Sequence, residues 1–361
     1  IFIANFLVLQ SVESFVGNVA GTARSENIRG TDVTHFDKIE TPRLFIFGVG
    51  YAGLAVSHEA QQTWGLENKI SGTCRSTAKT CLLRERYGMD VHELQPSTHT
   101  VVNERIIENI REATHIISTI PPSKNSPDTW ITNLVRNEKH LLTQLRWLGY
   151  ISTTSVYGDH NGAWVNEESE TCITAEHRSY NRLQAEKEWI SLGFDLGVKV
   201  DIFRLAGLYG PGRSALDTAT DPNADWDVSP SKFISRVHVA DVASAVVAAI
   251  GQSLAGPLSL QHRIYNLADD LPAPRTEVIR FARELLGLAS SPPQPPPGCA
   301  LPAASSSRRA SLDNKRVCNL RAKAELLGGC GLLFPTYAHG LRAIASGDPR
   351  PFPPLGPPQA R

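Results

Sequence analysis

The chain has no excess of charge of either sign. Thirty-six Lys and Arg offset 36 Asp and Glu, so the formal net charge is zero. Bulk electrostatics therefore point to neither a nucleic-acid partner nor a membrane surface. It has no Cys-x-x-Cys pair. The six cysteines (Cys74, Cys81, Cys172, Cys299, Cys318, Cys330) are scattered, and no Cys/His group has zinc spacing, so no metal is expected and the thiols read as reduced. The apolar stretch Ile1 to Leu9 is far short of the ~20 residues that span a bilayer. No internal repeat is present. What remains is a chain of 361 residues, enough for one large core or two smaller ones.

Residues 1–42 read as an extension of uncertain structure. The sequence starts at Ile1, not Met, so an incomplete N-terminus is expected. Scattered acids and the lack of an Arg-rich amphipathic pattern weaken a transit-peptide reading. A cytoplasmic location is expected, with the plastid stroma as the other compartment considered.

Against these absences stands one strong motif. Arg43-Leu-Phe-Ile-Phe-Gly48-Val-Gly50-Tyr51-Ala52-Gly53 is an apolar run, then Gly-x-Gly-x-x-Gly, then the apolar Leu54-Ala55-Val56. This reads as a buried strand, a tight turn and a helix start. Gly48 permits the turn, Gly50 lets a pyrophosphate approach the backbone, and Gly53 lets the helix pack on the strand. The N–H groups of Tyr51 and Ala52 lie at the positive end of the helix.

From here strands and helices alternate. Strands are expected at 43–48, 68–72, 90–93, 114–119, 148–152 and 198–203, and helices at 51–63, 77–87, 103–112, 127–146 and 180–192. Such alternation implies parallel βαβ units and an α/β, Rossmann-type doubly wound sheet. This dinucleotide-binding core covers 43–203. A C-terminal lobe interleaved with it covers 204–345, with a helix at 239–251, a strand at 262–267 and a helix at 275–287. Within the lobe a Ser/Pro/Ala-rich insert near 290–311 reads as disordered. Residues 346–361 read as a Pro-rich tail.

A further absence bears on the cofactor. An NAD-type ribose is usually held by an acid about 20 residues past the glycines. Here the second strand ends Gly72-Thr73-Cys74-Arg75-Ser76, without one. Arg75, with the hydroxyls of Thr73 and Ser76 beside it, matches a 2′-phosphate in charge and fork geometry, so NADP is favoured over NAD. A later strand runs into Tyr150-Ile-Ser152-Thr153-Thr-Ser-Val-Tyr157-Gly158, which places hydroxyls at a strand's C-terminal end, where α/β sheets bind ligands.

Together these motifs resemble the extended short-chain dehydrogenase/reductase superfamily, the group that holds nucleotide-sugar epimerases and dehydratases. The resemblance spans about 43–345. It rests on the glycine fingerprint, Ser152 to Gly158, Phe203-Arg-Leu-Ala-Gly-Leu-Tyr-Gly-Pro-Gly-Arg213, Arg236-Val-His-Val-Ala-Asp-Val242 and Ile264-Tyr-Asn-Leu-Ala-Asp-Asp270. Ser118-Thr119-Ile-Pro-Pro122, Gly162 to Glu167 and Asn314-Lys315-Arg316-Val317 look like an atypical branch, usually labelled only as epimerase/dehydratase-like.

The resemblance implies that Thr153 is the catalytic hydroxyl residue and that a Tyr-x-x-x-Lys pair follows on the next long helix. It places Thr119 and the position of Gln184 near the cofactor. It also implies that Arg213 and Arg236 clamp a substrate phosphate. The chain departs from this pattern. Tyr180 is followed four residues later by Gln184, which carries no charge. If Ala185-Glu186 anchors the helix instead, Arg178 and Arg182 take the two places. A Tyr with no neighbouring cation is a poor base at neutral pH. The implied function is an NADP-dependent oxidoreductase or epimerase acting on a hydroxylated or nucleotide-sugar-like small molecule, and a homodimer is compatible with it. The alternative is a non-catalytic NADP-binding sensor or scaffold.

Overall fold

Four consecutive apolar residues, two of them aromatic, leave Leu44–Phe47 no solvent-facing side, and all four are buried. This strand, β1, is the centre of the fold. The computed structural model describes residues 41–65, 69–95, 102–122, 130–221, 232–255, 261–288, 313–329 and 331–352. Residues 1–40, the insert 289–312, Cys330 and the tail from 353 lie outside them. The remaining strands of the main sheet are β2 (Ile70–Cys74), β3 (Asp90–Glu93), β4 (His115–Ser118), β5 (Trp147–Thr153), β7 (Lys199–Leu205) and β10 (Arg263–Leu267). The short β6 (Trp164–Val165), β8 (Gly207–Tyr209), β9 (Arg236–His238) and β11 (Arg316–Val317) pair separately, β6 with β11 and β8 with β9.

The order across the sheet is β10-β7-β5-β4-β1-β2-β3, and every neighbouring pair is parallel. Helices cover both faces, as parallel crossovers require. On one face α1 (Tyr51–Trp64) and α7 (Val239–Ala255) bring Ala55, Val56, Val242 and Val246 against Ile46 and Ile70. On the other, α3 (Glu104–Glu112), α4 (Trp130–Asn137) and α5 (Tyr180–Leu196) bring Ile106, Val135, Trp189 and Leu192 against Phe45, Leu148 and Ile202. The doubly wound reading of the sequence holds. A separate small cluster of Tyr209, Leu216, Val278, Tyr337 and Leu341 packs α6 (Ala215–Thr220), α8 (Arg275–Leu285) and α9 (Tyr337–Ala345) together.

The register puts the candidate residues along one sheet edge. Phe47 pairs with Ser118, Ser118 with Tyr150, Thr153 with Leu205, and Leu205 with Leu267. The strand order reverses between β1 and β4, and the glycine turn and Thr119 flank that switch point, where α/β sheets bind ligands.

Boundaries differ from the sequence reading in two informative places. The expected helix 127–146 is helical only over Trp130–Asn137, with 127–129 outside the described residues. After Asn137 the backbone bonds tighten to three-residue spacing, Glu138 N–H to Val135 and Leu141 N–H to Glu138. The buried Leu142 and Leu145 then turn the chain back to the sheet. The second strand runs to Cys74 because it pairs through Cys74 with Glu93 of β3. That extension leaves Arg75 at the very edge of the sheet. The described end of the tail is packed: the Phe352 ring lies 5.1 Å from that of Tyr51.

Candidate functional site

The glycine turn has a separate physical reason at each position. Gly48 has φ +87°, and a Cβ there would stand 2.6 Å from Ile120 Cγ1. A Cβ on Gly53 would stand 2.6 Å from the Gly48 carbonyl, so only glycine lets α1 pack on the turn. Gly50 differs: the nearest atom to a Cβ there is the Gly48 carbonyl, 3.8 Å away, and beyond it lies open space. Its freedom matters for what approaches from outside. Gly50 is the N-cap of α1 with no side-chain cap and no acid in the first turn, so the helix's positive end faces that space. These residues fit the phosphates of a dinucleotide. Thr119 braces the turn from β4: its N–H donates to the Phe47 carbonyl (2.9 Å) and its Oγ1 to the Gly48 carbonyl (2.5 Å).

At the end of β2 the three polar residues separate. Thr73 is buried, and its Oγ1 accepts from Gly48 N–H at 3.2 Å. Ser76 caps α2 (Thr77–Tyr87) by accepting from Lys79 N–H. Arg75 and Ser76 are both exposed, but Ser76 is used as the helix cap, whereas Arg75 has no ion-pair partner among the described residues. The two hydroxyls thus belong to the scaffold, and Arg75 is the group left to meet a ligand.

Tyr51 and Ala52 open α1. The Tyr51 hydroxyl donates to the Pro211 carbonyl (3.0 Å), and its ring lies under the Arg213 guanidinium at 5.7 Å. Burial pushes the Tyr51 phenol well above its ordinary value. A Cβ on Gly210 would stand 2.5 Å from the Tyr51 hydroxyl. The glycine turn is therefore fastened to the Tyr209–Arg213 motif, and the exposed Arg213 sits over Tyr51 at the start of α1. Arg236 is placed differently. It is half-buried, and its Nη1 donates to the carbonyls of Ile234 (2.8 Å) and Ala273 (2.9 Å). One end of its fork is committed to the scaffold.

Thr153 ends β5, and its Oγ1 accepts from Ser155 N–H at 3.2 Å, capping a single 3₁₀ turn, Thr154–Tyr157. Tyr180 is the first residue of α5 and half-buried, as is Gln184 one turn later. Lys187 is exposed. Arg182 is half-buried and reaches the sheet, with Nη1 donating to the Ile151 carbonyl at 3.4 Å. On this helix Arg182 is the cation that meets β5.

Beneath this edge lies a buried network that sequence reasoning missed. Glu186 takes Arg204 Nη2 at 2.8 Å and Nε at 3.1 Å, and Ser152 Oγ donates to Glu186 at 2.5 Å. The Arg204 guanidinium lies 4.8 Å above the ring of Tyr157, whose hydroxyl donates to Asn266 Oδ1 at 2.8 Å. The network ties α5, β5, β7 and β10 behind Thr153. Tyr157 is thereby a structural residue, and burial holds its phenol above the ordinary value. The available signal was a carboxylate at 186 between the buried Ala185 and Trp189.

No protein-family model matches the chain. Protein YeeZ of Escherichia coli K12 is 27% identical over 287 residues, which is 77% of this chain and 93% of YeeZ. A conserved protein of unknown function from Silicibacter pomeroyi superposes with a TM-score of 0.66 at 31% identity, covering 85% of this chain and 99% of its own. The dTDP-glucose 4,6-dehydratase of Bacillus anthracis, solved with NAD, superposes with a TM-score of 0.63 over 84% of this chain and 95% of its own. At 16% identity that likeness shows the fold alone.

Proposed function

We propose that this chain, which shares the fold of NAD-dependent epimerase/dehydratase-like proteins of the extended short-chain dehydrogenase/reductase type, is an NADP-dependent oxidoreductase or epimerase of a hydroxylated, nucleotide-sugar-like substrate. The observation that carries this reading is the open space before Gly50, flanked by two exposed guanidiniums, Arg75 at the end of β2 and Arg213 over Tyr51. Gly48, Gly50 and Gly53 with the first N–H groups of α1 would hold the pyrophosphate, and Arg75 the 2′-phosphate.

Bound NADP would supply hydride transfer at the substrate carbon. The chain's own part is to position and to move a proton. The Thr153 hydroxyl, at the sheet edge, donates to the substrate oxygen. Tyr180, half-buried at the start of α5, exchanges the proton. Gln184 brings no charge to help it, and Arg182 is the cation nearest the sheet on that helix. In this reading the step that removes the substrate's proton uses the ionised phenol, with no Lys at 184 to favour that form.

The test is a pH–rate profile of NADP+ reduction with a panel of nucleotide sugars and simple alcohols, the direction in which Tyr180 takes the substrate's proton. Turnover by the unmodified chain is expected to rise with pH. Gln184→Lys should shift the profile to lower pH and speed the reaction, and Tyr180→Phe in that background should remove the gain. Fast neutral turnover insensitive to Tyr180→Phe would sink the role of Tyr180. Tight NADPH binding without turnover in every variant would favour a non-catalytic sensor or scaffold.

A further inference from the structure

The segment Asn314-Lys315-Arg316-Val317 has no part in the reading above, yet it gathers three loops beside the candidate site. Asn314 is the hub. Its N–H donates to Asp159 Oδ1 (2.9 Å), its carbonyl accepts from the N–H groups of His160 (3.1 Å) and Gly162 (2.8 Å), and its Oδ1 accepts from Phe233 N–H (3.0 Å). One residue earlier, Asp313 Oδ1 meets His177 Nε2 at 3.3 Å. His177 in turn accepts Ser179 N–H on Nδ1 (3.1 Å), just before α5 begins. The hub thus brings Lys315 together with Lys232, which precedes Phe233, and with Arg178, which follows His177.

Among the described residues, Asp313 and Asp159 are the carboxylates that act on Lys232 and Lys315, two against three cations. Lys315 is buried, and its ammonium donates to the Gly158 carbonyl at 2.9 Å. A buried ammonium whose recorded acceptor is a neutral carbonyl is a costly arrangement. Lys232 is half-buried and Arg178 exposed, and neither has a hydrogen bond or ion pair among the described residues. The two nearby carboxylates are engaged: Asp313 with His177, and Asp159 with the N–H groups of Asn161 and Asn314. Burial lowers the basicity of Lys232 and Lys315, and Lys315 is lowered further by the like charges of Lys232 and Arg178, against the opposing pull of Asp313 and Asp159.

Placement gives the cluster a use. Gly158 closes the 3₁₀ turn that starts after Thr153, and at ~2 Å of rise per residue the turn sets Gly158 roughly 8–10 Å from Thr153. Arg178 lies two residues before Tyr180. A small organic skeleton bridges that span. We propose that Arg178, Lys232 and Lys315 form a binding site for an oxyanion, a carboxylate or a phosphate group, carried by the substrate. That the oxyanion belongs to the substrate rests on the oxidoreductase reading; that the site binds oxyanions does not.

The experiment titrates the full chain by calorimetry at low ionic strength, with inorganic phosphate in one arm and malonate in the other, each with and without saturating NADPH. Saturable binding of at least one probe is expected, unaffected by NADPH. The affinity should fall at least tenfold in the surface double variant Arg178→Gln/Lys232→Gln and in Lys315→Gln, while NADPH affinity stays unchanged. Tighter phosphate assigns the site to a phosphate group, and tighter malonate to a carboxylate. If Lys315→Gln does not fold, the double variant decides. Failure of the unmodified chain to bind either probe, or equal binding by the double variant, would overturn the proposal. So would displacement of the probe by NADPH, which would place it in the glycine turn beside Arg213. Loss of NADPH binding in the unmodified chain, with probe binding still sensitive to the variants, would remove the cofactor reading and leave the oxyanion site standing.

Discussion

Gly50 and Gly53 are two glycines of one motif with opposite surroundings, and they should fail differently. Gly53→Ala would press a methyl into the Gly48 carbonyl, which is a folding defect. Gly50→Asp meets no protein atom closer than 3.8 Å at its Cβ, so the fold should survive while a carboxylate occupies the phosphate cradle. Fluorescence titration with NADPH is expected to show binding abolished and the circular dichroism spectrum kept; unchanged affinity would remove the cradle reading. Arg75 permits a sharper test because it is exposed and unpaired among the described residues. Arg75→Ala should weaken NADPH by about 1.5–3 kcal/mol, the range for a hydrogen bond to a charged group, and leave NADH nearly unchanged. Equal losses for both cofactors would mean that Arg75 does not select the 2′-phosphate.

At the level of elements, α5 has two tasks that compete for one face. Its sheet side carries the apolar Ala185, Trp189 and Leu192, and it also buries Glu186 against Arg204 of β7. The pair holds the helix in rotation, and so sets where Tyr180 and Arg182 meet the end of β5. Arg204→Met would leave a buried carboxylate without its cation. Removing one partner of such a pair typically costs ~3–5 kcal/mol. Urea unfolding should show that loss in the single variant and recover much of it in Arg204→Met/Glu186→Leu. A single-variant loss below about 1 kcal/mol would mean that packing alone fixes the helix. The same helix explains why the Tyr-x-x-x-Lys pattern was hard to place from sequence: Gln184 and Arg182 are both half-buried, and only the contact of Arg182 with the Ile151 carbonyl separates them.

Across the whole molecule, buried titratable groups set opposing pH dependences. Burial raises Asp269 to about 7 and Asp241 to about 6. The folded state then holds protons that the unfolded chain has released, so each contributes a loss of stability as pH rises from about 4 to those values. Burial lowers His115 to about 3 and His238 to about 4. There the unfolded chain takes up the proton first, so stability is lost as pH falls below about 6.5. Between about pH 4 and 6 the two effects offset. Asp269→Asn should unbalance them. The variant is expected to be more stable than the unmodified chain above pH 7 and to lose that advantage on acidification, by up to ~1.4 kcal/mol per pH unit. Urea midpoints from pH 4 to 8 check this, and parallel curves for the two proteins would show that Asp269 does not titrate in that window.

Much of the fold was determined by the sequence alone, because local patterns suffice for it. Short apolar runs, capping residues and glycines made β1, β3, α1 and α2 legible nearly to the residue, and strict alternation implied parallel crossovers. The glycine turn was legible too, since each glycine answers a backbone requirement a few residues away. Other features needed the tertiary structure, because they depend on residues far apart in the chain. The end of the long helix at Asn137 depends on how Leu142 and Leu145 find the core. The separation of Arg75 from Thr73 and Ser76 depends on where β2 stops pairing with β3. Glu186 and Arg204, and Arg178 with Lys232 and Lys315, look like ordinary surface charges in one dimension. Only packing decides whether a charge reaches water or is buried beside another, because desolvation depends on the neighbours the fold supplies.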